Sequence, residues 1–183
     1  MTARQQWLIV GIVVALLGGG LWAGSYFLRD ELRPLTVGST APQFTAITLD
    51  STPKIKTLDS YKGEVVLLNV WGTFCIPCRT EMPSIEALHQ SLGSKGLKVV
   101  AISVDAPGKT QAIKDFAKEF KLSFEILYDT SGTLQQQYQT TGVPESFVIG
   151  RDGTIHKKYI GEDNWNSESN RKLIEMLLAE PAR

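Results

Sequence analysis

The chain has 183 residues, of which 43% are hydrophobic and 21% charged, and its formal net charge is zero. Balanced charge with no long run of either sign does not supply the basic surface that phosphate-backbone binding needs, so nucleic acid is not expected as a partner. Once an apolar N-terminal segment is set aside, about 140 residues remain, enough for one domain with a core of its own.

Trp7 to Leu28 carries no charge. As a helix it would span roughly 30 Å, the thickness of a bilayer core. Trp7 at one end and Trp22, Tyr26 and Phe27 near the other are placed for the two interfaces. The segment is read as an uncleaved single-pass anchor. A cleaved signal peptide competes, with Ala23-Gly24-Ser25 as a weak cleavage site, but its apolar region is usually only about 7–15 residues. Arg4 before the span and Arg29 and Arg33 after it nearly balance, so they do not set its orientation. Residues 29–42 have turn and polar composition without periodicity and read as a linker. The expected division is 1–35 for anchor and linker and 36–183 for the domain.

Gln43–Leu49 alternates as an edge strand would, Ser51-Thr52-Pro53 turns the chain, and Lys54–Leu58 returns. Asp59–Gly63 is a loop or short turn. Glu64–Val70 is an apolar run of the kind found in strands covered on both faces. Residues 76–93 suit a helix interrupted by Pro83, with Ile85, Leu88 and Leu92 on one side. Leu97–Val104 is a second buried strand. Lys109–Phe120 sets Ile113, Phe116, Ala117 and Phe120 on one helical face. Phe124–Tyr128 is a short strand, and Gly132–Gln139 a short helix. Ser146–Ile149 and Thr154–Ile160 are strands joined through Asp152-Gly153. Asn166 or Ser167 caps a last helix that buries Leu173, Ile174, Leu177 and Leu178. This alternation predicts a three-layer α/β domain: a mixed sheet, helices on both faces, and an extra N-terminal β-hairpin.

The two cysteines of the chain, Cys75 and Cys78, fall between the first buried strand and the helix after it. A single Cys-x-x-Cys offers a metal two ligands where structural zinc takes four, and His89 and His156 have no metal spacing to it, so no metal is expected. Two inert structural cysteines are the bland alternative. At the start of a helix, however, free N–H groups and the helix dipole stabilise a Cys75 thiolate. Cys78, one turn further in and less exposed, would resolve the mixed disulfide that Cys75 forms. Pro77 occupies the first turn, where a missing N–H is tolerated.

Trp71-Gly-Thr-Phe-Cys75-Ile-Pro-Cys78-Arg after an apolar strand, and Gly142-Val143-Pro144 before another, resemble the active site and cis-proline loop of the thioredoxin fold. More narrowly, Cys75-x-Pro-Cys78-Arg-x-Glu81-Met-Pro83, Gly142-Val-Pro-Glu145-Ser-Phe, the anchor, the extra hairpin and Asp152-Gly153 resemble TlpA/ResA/CcmG-like membrane-anchored thiol–disulfide oxidoreductases. The resemblance covers about residues 36–180. It implies Cys75 as attacking thiol, Cys78 as resolving thiol and Pro144 as a cis proline that leaves the Val143 backbone free to pair with an extended substrate. Trp71 and Phe74 would frame the active-site surface, with core packing equally open for Trp71. Phe74 stands where thioredoxin has Trp.

One departure matters. Thioredoxin has a buried Asp six residues before its first cysteine, where this chain has Asn69, which cannot take a proton. The family reading offers Glu81 instead, three residues after Cys78 and on its helical face. Partly buried there, it would have a raised pKa and act as general acid or base. Glu145 is a second carboxylate that could reach the site. For each Glu a solvated surface charge is the alternative. Arg79 is expected mainly in solvent, and neither histidine is given a role.

The resemblance implies a protein disulfide reductase that needs no cofactor beyond its Cys75–Cys78 disulfide. Its domain would lie on the extracytoplasmic side of a bacterial cell membrane. It would reduce exported proteins such as apocytochrome c and draw electrons from a membrane thiol donor. A dithiol in an oxidising compartment needs such a supply. The Ile76-Pro77 dipeptide resembles those of reductases more than the Pro-His of strong oxidants. An oxidase or isomerase on the same fold is the alternative, followed by a peroxidase-like or non-enzymatic module. A peroxidase of this superfamily would need Thr three residues before its cysteine, whereas Thr73 is two before Cys75. A copper chaperone would need a histidine at the substrate loop, where this chain has none.

Overall fold

The structure is a computed structural model and describes residues 2–27 and 34–181. The end of the apolar span at Leu28, Arg29 and Arg33, and the first part of the 29–42 linker lie outside the described residues. The chain divides into two units, Met1–Pro34 and Leu35–Arg183.

The first unit is a single helix, α1 (Ala3–Phe27). Its stretch Ala3–Tyr26 is long and apolar enough to cross a membrane, and none of it is buried in protein. A helix that is apolar all round fits a lipid surrounding.

The second unit is built on one seven-stranded sheet. The strands are β1 (Thr45–Thr48), β2 (Ile55–Thr57), β3 (Val65–Trp71), β4 (Leu97–Ser103), β5 (Glu125–Tyr128), β6 (Glu145–Ile149) and β7 (Ile155–Ile160). Their order is β2-β1-β5-β4-β3-β6-β7. β3 pairs parallel with β4 and antiparallel with β6. The sheet is therefore mixed, and the expected thioredoxin-like architecture with its N-terminal hairpin is what forms. The expectation of an edge strand at 43–49 is corrected. β1 is an inner strand because it pairs with β5 as well as β2, and the three-residue β2 forms the edge.

Three longer helices follow the strands: α2 (Ile76–Leu92), α3 (Thr110–Glu119) and α5 (Glu168–Ala179). Two successive parallel crossovers, β3-α2-β4 and β4-α3-β5, step across the sheet in one direction. The right-handed rule then puts α2 and α3 on the same face. The core agrees: Met82, Ile85, Leu88 and Leu92 of α2, Ile113 and Phe116 of α3 and Ile174 and Leu177 of α5 share one cluster with Val65, Leu67 and Trp71 of β3. Each such fully buried side chain contributes about 1.5–3 kcal/mol. The opposite face is covered more thinly, by a 3₁₀ turn (Leu58–Tyr61), a one-turn helix α4 (Leu134–Gln137) and the segment around Ala41 and Phe44.

Pro83 does not interrupt α2, which runs unbroken from Ile76 to Leu92. Proline removes the N–H that would bond the carbonyl four residues back, here Arg79. Pro83 is exposed, so that loss falls on the solvent side of the helix. The helix expected over 132–139 shrinks to α4. The Asp129 carboxylate takes the N–H groups of Ser131, Gly132 and Leu134 and organises the approach as a turn. At α5 the cap is Ser167, whose Oγ accepts the Asn170 N–H. Leu173 and Leu178 are only partly buried there.

Candidate active site

Val65–Trp71 is buried along its whole length, which fixes the end of β3 in the middle of the sheet. Just beyond it, the Cys75 N–H donates to the Gly72 carbonyl at 3.1 Å and closes a turn. A Cβ on Gly72 would lie 2.5 Å from the exposed Phe74 ring, so a side chain there would displace that ring from its place beside Cys75. Cys75 is the N-cap of α2, with extended φ/ψ, and its sulfur accepts the Cys78 N–H at 3.1 Å. That contact supplies one of the helix's four unpaired N–H groups to the sulfur that would carry negative charge. The two cysteines form a disulfide, with Cα atoms 5.3 Å apart. Cys75 retains 5% of its surface, whereas Cys78 is fully buried. On either side of Cys75, Phe74 and Ile76 are 66% and 78% exposed. An apolar rim thus surrounds the more accessible sulfur.

Trp71 is not part of that rim. It is fully buried against Phe116 of α3, with ring centroids 4.5 Å apart, so of the two places held open for it Trp71 takes the core beneath the dithiol and not the active-site surface. Side chains alternate along β3, and Trp71 falls on the side packed by α2 and α3. Arg79 is not free in solvent either. It ion-pairs with Glu119 and lies over the rings of Phe116 and Phe120, fastening the first turn of α2 to α3.

The Val143–Pro144 peptide is cis. β6 pairs with β3 so that Glu145 faces Val70, which carries Pro144 to the level of Trp71 and hence to the dithiol end of the sheet. Val143 packs against the cluster that holds both cysteines. Glu145 is fully buried and points to the other face of the sheet, the side of Phe147 and Ile149. Its carboxylate pairs with Lys158 at 3.1 Å and accepts the Thr141 N–H at 3.2 Å. It is therefore neither a solvated charge nor a partner of the sulfurs, but a tie across the base of the cis-proline loop.

Glu81 is 2% exposed. Oε1 accepts Asn69 Nδ2 at 2.8 Å, and Oε2 accepts the Trp165 indole N–H and the Asp163 backbone N–H, both at 3.3 Å. Asn69 also donates to Ser146 Oγ at 2.8 Å. Burial pushes the Glu81 carboxyl up. The hydrogen bonds from Asn69, Asp163 and Trp165 oppose this and the Asp163 charge adds to it, leaving the carboxyl at about 7. Such a group holds or releases a proton near neutral pH. Asn69, the residue in the position where thioredoxin has its Asp, therefore touches the carboxylate that the helix supplies. The loop over Glu81 is itself tied down. Lys157 and Asn170 both bond the Asp163 carboxylate at 3.0 Å. Burial raises that carboxyl, but these two partners outweigh it and hold it below its ordinary value.

Ser146, Asp163 and Trp165 were not anticipated from the sequence, and neither was Asp105 at the end of β4. Nothing local marks them, because their partners in the site are 32 to 84 positions away. Among the described residues, no group of three or more His, Cys, Asp or Glu side chains is placed to hold a metal.

Residues 37–158 match the AhpC/TSA family. The thiol-disulfide oxidoreductase ResA of Bacillus thuringiensis is 34% identical over 155 residues, covering 85% of this chain and 86% of that protein. The thioredoxin-like protein YneN of Bacillus subtilis is 30% identical over 158 residues, covering 86% and 91%. Among solved structures, a Chlorobium tepidum protein assigned as the thiol:disulfide interchange protein DsbE superposes with a TM-score of 0.70 at 29% identity, covering 79% of this chain and 99% of that one. StoA from Bacillus subtilis gives 0.58 at 26%, covering 75% and 98%. With a Cys-x-x-Cys disulfide at the start of α2 on a thioredoxin-like sheet, the chain belongs to the AhpC/TSA family and is a thiol–disulfide oxidoreductase of the ResA/DsbE type.

Proposed function

We propose that the protein is held in a bacterial cell membrane by residues 7–28 and reduces disulfides of exported proteins on the extracytoplasmic side. Apocytochrome c is the substrate favoured by the family resemblance, and a membrane thiol carrier is the electron donor. The observation that carries the reading is the position of Cys75. It is the accessible sulfur, it caps α2 and it accepts a backbone N–H. These features favour the thiolate and hence nucleophilic attack.

In the proposed cycle, the Cys75 thiolate attacks one sulfur of a substrate disulfide. A Cys75–substrate disulfide forms, and the other substrate sulfur leaves and takes up a proton. Cys78 loses its proton, and Glu81 is the group on its helical face poised near neutrality to accept it. The Cys78 thiolate then attacks Cys75, re-forms the intramolecular disulfide and releases the second substrate thiol. Two electrons pass from the dithiol to the substrate, and the donor restores the dithiol. Phe74, Val143 and Pro144 form the surface on which the substrate strand lies, and no cofactor beyond the disulfide takes part.

The peroxidase-like alternative is disfavoured by Thr73, whose hydroxyl is committed to Asp105 at 2.6 Å. An oxidase or isomerase differs from this proposal in direction. An equilibrium potential near −120 mV, that of the strong oxidant DsbA, would refute the reducing role. The site assignment is tested by trapping. In cells, Cys78→Ser should accumulate mixed disulfides through Cys75 with exported proteins, and Cys75→Ser should accumulate none. Adducts through Cys78 in the Cys75 variant, or none in either, would overturn it.

A further inference from the structure

Beyond the ends of β3 and β4 lies a polar clamp that the cycle above does not use. Asp105 sits two residues past β4 and is 6% exposed. Its Oδ2 accepts the Thr73 N–H at 2.9 Å and the Ser103 hydroxyl at 2.7 Å, and its Oδ1 accepts the Thr73 hydroxyl at 2.6 Å. The Asp105 N–H donates back to Ser103 Oγ at 3.1 Å.

The segment carrying Asp105 is held from both sides. Trp71 and Ser103 are in register, and the Val104 N–H continues the pairing to the Trp71 carbonyl at 2.9 Å. The Tyr128 hydroxyl of β5 donates to the Ala106 carbonyl at 2.6 Å. Thr73, in turn, lies inside the turn that the Gly72 carbonyl and the Cys75 N–H close.

A buried carboxylate is retained only where hydrogen bonds replace water. Two of the three bonds that satisfy Asp105 come from a single residue of the active-site turn. Bonds to a charged acceptor are the stronger kind, and a pair from one residue fixes both backbone and side chain. The timing of the cycle makes this important. In the oxidised protein the disulfide itself ties Cys75 to α2. In the reduced protein that tie is gone, at the stage when Cys75 must stay at the helix terminus for its thiolate to be stabilised.

We propose that Asp105 is a positioning residue for the reduced dithiol. By gripping Thr73 at its amide and its hydroxyl, it fixes the turn from Gly72 to Cys75 and keeps the Cys75 sulfur at the N-terminus of α2. The inference rests on Cys75 as the attacking thiol. Asp105 acts through Thr73 and touches neither sulfur nor substrate.

The test uses reduced full-chain protein in detergent, with iodoacetamide alkylation followed across pH and each adduct mapped to its cysteine. Asp105→Ala should raise the pH midpoint for Cys75 by about one unit, which lowers its alkylation rate at neutral pH about tenfold. Asp105→Asn should recover most of that rate, because its oxygen still accepts the Thr73 N–H and its amide can donate to the Thr73 hydroxyl. Thr73→Val, which removes one of the two grips, should fall between wild type and Asp105→Ala. If Asp105→Ala does not fold, Thr73→Val decides the matter by itself. A Cys75 profile in the folded variants that superimposes on wild type overturns the proposal. So does an Asp105→Asn variant as impaired as Asp105→Ala, since the retained grip on Thr73 would then not be what holds the Cys75 sulfur in place. Wild-type alkylation that maps first to Cys78 refutes the attacking role of Cys75 instead, and so separates the two failures.

Discussion

The oxidised protein should lose stability as pH rises from about 4.5 to about 7, and Glu81→Gln should abolish that dependence. The folded-state value of Glu81 stands at about 7, against 4.5 for an unperturbed glutamate. Its folded value lies above its unfolded one, so over that window the folded state binds a proton that the unfolded state has released. The stability contribution is therefore complete below about pH 4.5 and is lost as pH rises through about 7. A difference of about 2.5 pH units corresponds to about 3 kcal/mol, or two to three decades in the unfolding constant. Asp163 and Glu86 have lowered values, so their contributions are lost only as pH falls into the acid range and do not overlap this window. The assay is urea unfolding of the oxidised full-chain protein in detergent, followed by tryptophan fluorescence at several pH values. A wild-type curve flat from pH 4.5 to 7.5, or a slope that survives in Glu81→Gln, would show that Glu81 is not the group held protonated by burial. In reduced Glu81→Gln protein, the titration of the two cysteines should also shift. Unchanged thiol pKa values would remove Glu81 from proton transfer.

Three further outcomes are expected. Trp71→Ala, which empties a fully buried site packed on Phe116, should cost about 3–5 kcal/mol in chemical denaturation. Phe74→Ala, at an exposed position, should stay within about 0.5 kcal/mol of wild type while slowing reaction with disulfide-containing proteins. Glu145→Ala should cost about 3 kcal/mol, because it strands Lys158 and frees the Thr141 N–H. It should also slow turnover by loosening the cis-proline loop, and activity unchanged in the folded fraction would remove Glu145 from loop positioning.

What could be read from the sequence follows from how local each signal is. The buried run 65–71 and the amphipathic faces of α2, α3 and α5 are periodic patterns confined to a few turns or strand residues, so elements and their order could be inferred. The start of α2 was also legible, since Cys75, Pro77 and Cys78 carry both the capping and the redox chemistry. Trp71 and Glu145 were harder, because in strands covered on both faces every residue is apolar or buried and alternation no longer says which side it takes. Glu81 could be proposed from its helical spacing to Cys78. Its Trp165 partner could not, being 84 positions away in a loop after β7. Asp105 had no signal in the sequence, because its role depends on β3 and β4 ending at the same level.

The two outer strands of the sheet also bear on how partners are met. One end is β2, only three residues long and carrying Lys56. The other is β7, with Lys157 and Lys158 in its middle and an irregular step in its pairing beside Val148 and Ile149. Short length, lysines and a bulge are the features that keep an exposed border from recruiting another chain's backbone. The backbone of a second chain therefore meets an unreceptive border at either end of the sheet.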